Sequence, residues 1–353
     1  MAAAHHTVRT TTSLTTLLQG GIDTLVYPGA VWAVGDADGQ RVSGALGVRD
    51  PTDPATPMTT DTVFDVASLT KIMAVWASVG VLWENGELAL DDPLTALLPD
   101  LDGYPLGHVT VHQLLTHTAG VPLRANLKAL YGIDPAAIRR GVLHERLHRP
   151  PGEAVEYTDR AALILGFLIE RLTGTGLDDT AHERIWAPLV MRDTRFGPLP
   201  PDLSARCAPT ELDEQTGVHL TGIAHDFSAR LLGGVCGIAG VFSTVADIGR
   251  FLRYLLDPAT APDKPGFGPA WVSESLQPRT GDLQPARGLF WLPAPGTDPT
   301  DDIYVHYGFT GTGMWISPKQ RRWAVLLTNK LYYSRERQLL TNIRNTFREV
   351  IFS

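Results

Sequence analysis

Short apolar stretches near the two ends of the chain predict two pairs of β-strands. Near the N-terminus, residues 30–34 and 41–46 are the predicted strands, and the segment Gly35–Gly39 supplies the loop of a hairpin. Near the C-terminus, residues 314–317 and 323–328 form a second predicted hairpin with a proline-containing turn. Strands at both ends with helices between them indicate one sheet assembled from the two termini, which is an α+β arrangement.

Longer apolar patterns with helical spacing predict the remaining elements. Helices are expected at about residues 12–22 and 335–350, and a mainly helical region lies between the two pairs of strands. We therefore expect residues 1–70 and 250–353 to form a sheet domain. Residues 71–249 are expected to form a mainly helical domain that is inserted into it.

One lysine is out of place in the most apolar of the predicted helices. Residues 69–83 are apolar on nearly every face, as in a buried helix, and Asn85-Gly86 provides a C-terminal stop. Lys71 is the only charged residue of this segment, and lysine is rarely buried unless it is paired or has a function. Ser68 stands three positions earlier, at the predicted helix N-terminus, so the two side chains share one face.

A serine hydroxyl beside a lysine amine is typical of nucleophilic catalysis. The amine can accept the hydroxyl proton if burial or neighbouring charge lowers its pKa, and N–H groups at a helix N-terminus favour a developing oxyanion. The alternative is a serine that caps the helix and a lysine whose ammonium group reaches solvent. Ser-x-x-Lys alone does not separate these two interpretations.

Two further segments carry side chains suited to the same chemistry. Tyr157 lies between a Pro-Pro-Gly loop and an apolar helix predicted at about residues 160–172, where its phenol could project into a cleft. The alternative is a packed tyrosine, with Asp159 as the helix N-cap. The segment 306–313 contains three glycines, which let a ligand approach the backbone closely. His306 could contact a substrate or tune a base, or it could simply begin a glycine-rich strand end.

Taken in order, Ser68-x-x-Lys71, Tyr157-x-Asp159 and His306-x-Gly308 resemble the three motifs of the serine β-lactamase and penicillin-binding protein superfamily. The resemblance is closest to its class C β-lactamase-like and family VIII esterase-type branch. It extends over most of the chain. The other segments that resemble the family are residues 88–93, 110–120, 208–211 and 233–244.

The resemblance implies a β-lactamase-like fold, in which an antiparallel sheet flanked by helices joins a helical domain and the catalytic cleft lies between them. It implies that Ser68 forms an acyl-enzyme and that Lys71 and Tyr157 manage the proton. The backbone N–H groups of Ser68 and Phe309 would hold the oxyanion. The residues implied in substrate binding are Asp159, His306 and Gly308.

Two departures from the family pattern bear on the substrate. The second motif ends in Asp159, where the family commonly has Asn, and the third begins with His306, where true β-lactamases begin with Lys. A cation that would grip a substrate carboxylate is therefore missing from the motif. We expect a serine hydrolase acting on a small-molecule ester or amide. The alternative is a biosynthetic transacylase that passes the acyl group to an amine or alcohol, and a D-Ala-type peptidase is less favoured.

Two other functional classes fit parts of the sequence. His144-Glu145-x-x-His148 matches the zinc-protease motif, with Glu170 as the one tempting third ligand, but prolines follow immediately and an ordinary amphipathic helix from Pro135 explains the segment. We therefore expect no metal and no cofactor. A non-catalytic binding protein is disfavoured, because all three catalytic positions hold chemically competent residues.

Composition limits the partners and the location. The chain has 353 residues, 44% of them apolar, and a net charge of −8 with both signs mixed, which argues against nucleic-acid binding. No apolar run is long enough for a membrane span, and the N-terminus lacks a signal-peptide pattern, so a cytoplasmic protein is expected. Cys207 and Cys236 are expected to be free thiols.

Overall fold

The computed structural model of the protein describes residues 2–123 and 126–353, with side chains from residue 10 onward except at position 299. Its strands are β1 Gly29–Asp36, β2 Gly39–Asp50, β3 Asp53–Pro57, β4 Phe64–Asp65, β5 Arg195–Phe196, β6 Leu212–Asp213, β7 Val218–His219, β8 Val241–Ser243, β9 Leu292–Pro293, β10 Tyr304–Tyr307, β11 Gly313–Ser317 and β12 Arg322–Thr328. Its α-helices are α1 Ala2–Asp23, α2 Ala77–Glu84, α3 Leu94–Leu97, α4 Val111–Leu115, α5 Leu127–Tyr131, α6 Pro135–Leu143, α7 Asp159–Thr173, α8 Leu177–Ala181, α9 Pro201–Ser204, α10 Phe227–Leu231, α11 Val245–Leu256, α12 Pro269–Ser275 and α13 Thr341–Phe352.

Seven of the described strands form one antiparallel sheet in the order β3-β2-β1-β12-β11-β10-β9. β1 pairs with β12, with Val31 opposite Leu327, so the sheet joins the two ends of the chain. Both predicted hairpins and the predicted α+β fold are confirmed. The N-terminal strands are longer than predicted, because Asp36 Oδ1 accepts the backbone N–H groups of Asp38 and Gly39 and closes a tighter turn. The division into two domains stays a prediction.

Helices cover both faces of the sheet. On one face, Leu18 of α1 and Phe347 of α13 belong to the same buried cluster as Trp32 of β1. On the other face, Val31 belongs to a cluster that contains Phe251 of α11. Because successive side chains of a strand point to opposite faces, a sheet buried on both sides requires a strand that is apolar throughout.

Both terminal helices begin at residues other than those predicted. α1 starts at Ala2 instead of near position 12, because alanines favour helix upstream of the apolar face that carried the prediction. α13 starts at Thr341 instead of Arg335. Arg335 is not helical and forms an ion pair with Glu211 of a distant segment.

The predicted apolar helix after Ser68 is one continuous helical segment. It consists of a 3₁₀ turn at Ala67–Leu69, a π-helical stretch at Lys71–Trp76 and α2, and Gly86 follows its end with φ of +72°. All residues of the π-helical stretch are buried, and π-helical turns occur frequently at functional sites.

The zinc-protease pattern does not form the helix on which such a metal site depends. α6 ends one residue before His144, and the residues after it are not helical. Glu145 binds the Arg160 guanidinium, and Glu170 binds Arg139. In the ranges that the structure covers, no group of three or more His, Cys, Asp or Glu side chains could hold a metal ion. The pattern is therefore an ordinary helix end followed by a loop.

The two cysteines of the chain do not pair with each other. Cys207 and Cys236 are free, as predicted, and both are buried. Burial raises the pKa of each thiol to about 12, so both are protonated near neutral pH.

Of the helices between residues 2 and 353, leaving out positions 124 and 125, none has the length and apolar character needed to cross a membrane.

Candidate active site

The structure brings Ser68 and Lys71 together at the start of the buried helical segment. Lys71 is fully buried, and its Nζ lies 3.0 Å from Ser68 Oγ, 2.9 Å from the Ile238 carbonyl oxygen and 2.8 Å from Asp159 Oδ1. An ammonium group has three N–H donors, so these three acceptors satisfy it completely. The alternative of a lysine that reaches solvent is therefore wrong.

Lys71 is protonated, whereas a lysine that acts as a base must be a neutral amine. Burial by itself lowers the pKa of Lys71, but the Asp159 carboxylate and then Tyr157 outweigh it and raise this pKa above its ordinary value. Burial also acts to raise the pKa of Asp159, and the Lys71 ammonium overcomes it and holds this pKa low. In the free protein the two residues are therefore a charged pair, with Lys71 as an ammonium.

Asp159 does not cap the helix that follows the second motif. The N-cap is Thr158, whose Oγ1 accepts the Arg160 N–H at 3.1 Å. The N-cap interpretation of Asp159 is wrong because its carboxylate is drawn to the buried Lys71 ammonium instead. About half of the Asp159 side chain remains exposed (52%), so a substrate contact stays a prediction.

Tyr157 stands beside this pair with its phenol open to solvent. Its side chain is 40% exposed, and its ring centroid lies 5.5 Å from Lys71 Nζ. The His117 ring packs against it at 4.7 Å, and the His306 ring centroid lies 6.4 Å away. The phenol also interacts with the Lys71 side chain and contributes to the raised pKa of that lysine.

Two buried histidines, His117 and His306, lie near the Tyr157 ring. Burial, reinforced by nearby cations, lowers the pKa of both His306 and His117 well below the ordinary value, so both are neutral. Neither ring nitrogen of His306 has a partner in the described chain. His117 is a site residue that the sequence analysis missed. Its only signal was a dense run of Thr, His and Gly at 116–120, because its contact with Tyr157 joins distant segments.

Two free backbone N–H groups lie at the mouth of the site. Those of Ser68 and Phe309 make no hydrogen bond to the described residues, as an oxyanion hole requires. Gly308 lets the two segments approach closely, because a Cβ there would come within 2.0 Å of Thr312 Oγ1 and 2.4 Å of the Val66 oxygen. Its own N–H and carbonyl are bound within the protein, so its contact with substrate stays a prediction.

Two cavities meet at Ser68, Tyr157 and Phe309. The first, which we call the cationic cavity, has a volume of about 250 Å³, and the second, the mixed cavity, has about 310 Å³. The charged side chains and histidine of the mixed cavity are Asp159, Glu211, His225, Asp226, Arg230, Arg335 and Arg337. Those of the cationic cavity are Arg287, His306, Lys330, Arg337 and Arg344, with no carboxylate among its lining residues.

The cavity beside the third motif is lined by cations from other segments of the chain. Lys330 is buried, and burial, followed by Arg344, lowers its pKa to about 8. Arg287 is buried over the Tyr157 ring, and no described carboxylate pairs with Arg287, Lys330, Arg337 or Arg344. Lys330 left a sequence signal, a charge two positions after the apolar strand β12, whereas Arg287 lies in an irregular loop.

Sequence comparisons give the chain its relatives. The model of the beta-lactamase family matches residues 14–346. A protein of Escherichia coli K12 with the provisional name D-alanyl-D-alanine carboxypeptidase is 30% identical over 305 residues, which span 77% of this chain and 70% of that protein.

Solved structures share the fold at lower identity. A class C β-lactamase from Rhodobacter sphaeroides superposes with a TM-score of 0.74 at 22% identity, covering 95% of this chain and 98% of its own. Simvastatin synthase LovD from Aspergillus terreus gives 0.75 at 22%, covering 97% and 98%. EstCE1, a hydrolase with promiscuous acyltransferase activity, gives 0.76 at 19% and covers the whole of both chains. The β-lactamase-like fold is thus confirmed.

Proposed function

The chain belongs to the beta-lactamase family, and from this premise we propose that it is a serine hydrolase or acyltransferase working through an acyl-enzyme on Ser68. The observation that carries the proposal is the meeting of the Ser68 hydroxyl, the Lys71 ammonium and the Tyr157 phenol where two cavities join. Two free backbone N–H groups stand beside them, which is the set of groups that acyl transfer needs.

In the first step, Ser68 Oγ bonds to the carbonyl carbon of the substrate and loses its proton. Lys71 already carries three filled N–H donors, so we assign acceptance of this proton to the Tyr157 oxygen. The Lys71 ammonium stabilises the negative charge that this oxygen must carry beforehand. When the bond to the leaving group breaks, Tyr157 returns the proton to it.

In the second step, a new nucleophile loses its proton to Tyr157 and displaces Ser68 from the acyl group. Water as the nucleophile gives an esterase or amidase, and an alcohol or amine gives a transacylase. EstCE1 combines both outcomes in a chain of the same fold. We propose hydrolysis as the main reaction of this protein, with transfer to an acceptor as the alternative.

Product partitioning separates the two outcomes. A p-nitrophenyl ester should be hydrolysed in buffer, and added primary amines or alcohols should leave the product ratio near the value set by water if hydrolysis dominates. The acid and the amide or ester products are quantified by mass spectrometry. A transfer product that rises with acceptor concentration, while the rate of p-nitrophenol release stays constant, would instead identify a transacylase.

The cationic cavity suggests that the substrate carries an anionic group. A buried Lys330 and a buried Arg287 without carboxylate partners leave positive charge uncompensated beside Ser68. A carboxylate on the substrate would supply the missing charge. This favours a second candidate, a carboxypeptidase acting on D-alanyl ends, which is what the name of the Escherichia coli relative describes.

We expect Lys330→Met and Arg287→Met each to lower kcat/KM about 10- to 100-fold for an ester that carries a carboxylate, because a hydrogen bond to a charged group is lost. For the analogue in which this carboxylate is masked as a methyl ester, kcat/KM should be the same as for the native protein. Lys330, with its pKa of about 8, is charged below that pH, so the preference for the carboxylate should decline as pH rises through 8. Lys264→Met, at an exposed position outside both cavities, serves as control. Equal losses for both esters would contradict the assignment.

A further inference from the structure

A buried aspartate and histidine form a pair just outside the reacting groups. Asp65 ends β4, three residues before Ser68, and its side chain is completely buried. Its Oδ2 accepts the backbone N–H of His225 at 2.8 Å and lies 2.9 Å from His225 Nδ1. Because a carboxylate only accepts hydrogen bonds, His225 Nδ1 is the donor in this contact, and His225 Nε2 takes no part in it.

The same aspartate holds the strained turn that carries the nucleophile. Asp65 Oδ1 accepts the Ala67 N–H at 2.8 Å. Ala67 has φ of +51°, a left-handed conformation that is unfavourable for a residue with a Cβ. This conformation sets the direction of the next residue, Ser68, and therefore of its N–H and its hydroxyl. Asp65 thus supports one of the two N–H donors of the oxyanion hole.

His225, the histidine of the pair, packs against the side chain of Phe309, whose backbone N–H is the second proposed oxyanion donor. The His225 ring lies against the Phe309 ring, with centroids 5.9 Å apart and planes 28° from parallel. The segment of Phe309 is also tied to the nucleophile turn, since Thr310 Oγ1 donates to the Asp65 carbonyl at 2.7 Å and Thr312 Oγ1 to the Val66 carbonyl at 3.0 Å. The pair therefore connects both segments that supply oxyanion donors.

We propose that Asp65 and His225 are positioning residues that set the spacing between the Ser68 and Phe309 N–H groups. The inference rests on the proposed acyl-enzyme function and adds to it two residues outside the three family motifs. Stabilisation of an oxyanion depends on donors placed in advance, so a shift of either N–H by a fraction of an ångström weakens it. Substrate binding in the ground state depends less on this spacing.

The test uses a ligand that copies the tetrahedral intermediate. A phenylboronic acid adds to Ser68 Oγ through boron and places one oxygen in the oxyanion hole, so its Ki reports the geometry of the hole. We expect His225→Phe, which keeps a ring against Phe309 but loses the Nδ1 donor, to lower kcat/KM about 10- to 100-fold and to raise the boronate Ki in parallel, with KM unchanged. Rates are expressed per active site, titrated with a fluorophosphonate.

Two further variants sharpen the result. His225→Asn should recover part of the boronate affinity, because its Nδ2 can donate to Asp65 in place of Nδ1 while the ring contact with Phe309 is lost. The matched control is His219→Phe: His219 Nδ1 is hydrogen-bonded to the Thr210 carbonyl and its ring stacks on Tyr332 at 3.7 Å, outside both cavities. This variant loses an equivalent bond and should keep the native kcat and Ki.

The outcomes separate this inference from the proposed function. If His225→Phe lowers only the Tm or the titratable fraction, with native kcat and Ki per active site, the pair is structural and the inference is overturned. If the native protein forms neither a fluorophosphonate adduct on Ser68 nor a boronate complex, the proposed function itself fails.

Discussion

Replacing Ser68 by alanine should lower the rate of ester hydrolysis by about 10⁶-fold, the scale of loss seen when a serine nucleophile is removed. Ser68 Oγ is the group that would bond to the substrate carbonyl, and it lies 3.0 Å from Lys71 Nζ. The fold should be unaffected, because the side chain lies at the edge of a cavity and makes one hydrogen bond. The measurement is p-nitrophenol release, together with the mass of the protein after fluorophosphonate treatment.

A second serine of the same helical segment provides the control. Ser78 lies in α2, is buried, and its Oγ has no hydrogen-bond partner among the described residues. Ser78→Ala should therefore keep full activity and should gain slightly in stability, because alanine is the better helix former. An intact fluorophosphonate adduct on the Ser68→Ala protein would show that the nucleophile is another residue.

Loss of Lys71 should have the second largest effect. We expect Lys71→Ala to slow acylation about 10²- to 10⁴-fold, the usual range for a group that manages a proton in the transition state. The cost in stability should stay below the about 3–5 kcal/mol that follows removal of one partner from a fully buried ion pair, because the half-exposed Asp159 can be solvated. Stopped-flow acylation rates and thermal unfolding measure the two effects.

Asp159→Asn tests which form of Lys71 is the active one. The Asp159 carboxylate raises the pKa of Lys71, so its removal should lower that pKa. If the ammonium is required, as we propose, the fall in kcat/KM at high pH should move to lower pH in the variant. A rising limb that moves to lower pH, with a faster rate near neutrality, would instead identify Lys71 as a free-amine base.

Local patterns in the chain determined the elements and the three motifs. The two hairpins follow from apolar runs separated by turn residues, and the buried segment after Ser68 follows from its apolar character on all faces. The i, i+3 spacing alone places Ser68 and Lys71 on one face of a helix. The resemblance extended these observations to the fold, which the comparisons confirm.

Tertiary structure alone decided the charges and shapes of the site. The state of Lys71 depends on Asp159, 88 positions away in the chain but 2.8 Å away in space. The cationic cavity gathers Arg287 from an irregular loop and Lys330 from a 3₁₀ turn, and the Asp65–His225 pair joins β4 to a distant loop. Pairing over such separations leaves no periodic trace in the sequence, because it depends on how the sheet and helices pack and not on local spacing. Electrostatic interactions depend on distance and burial, and both are fixed only by the folded chain.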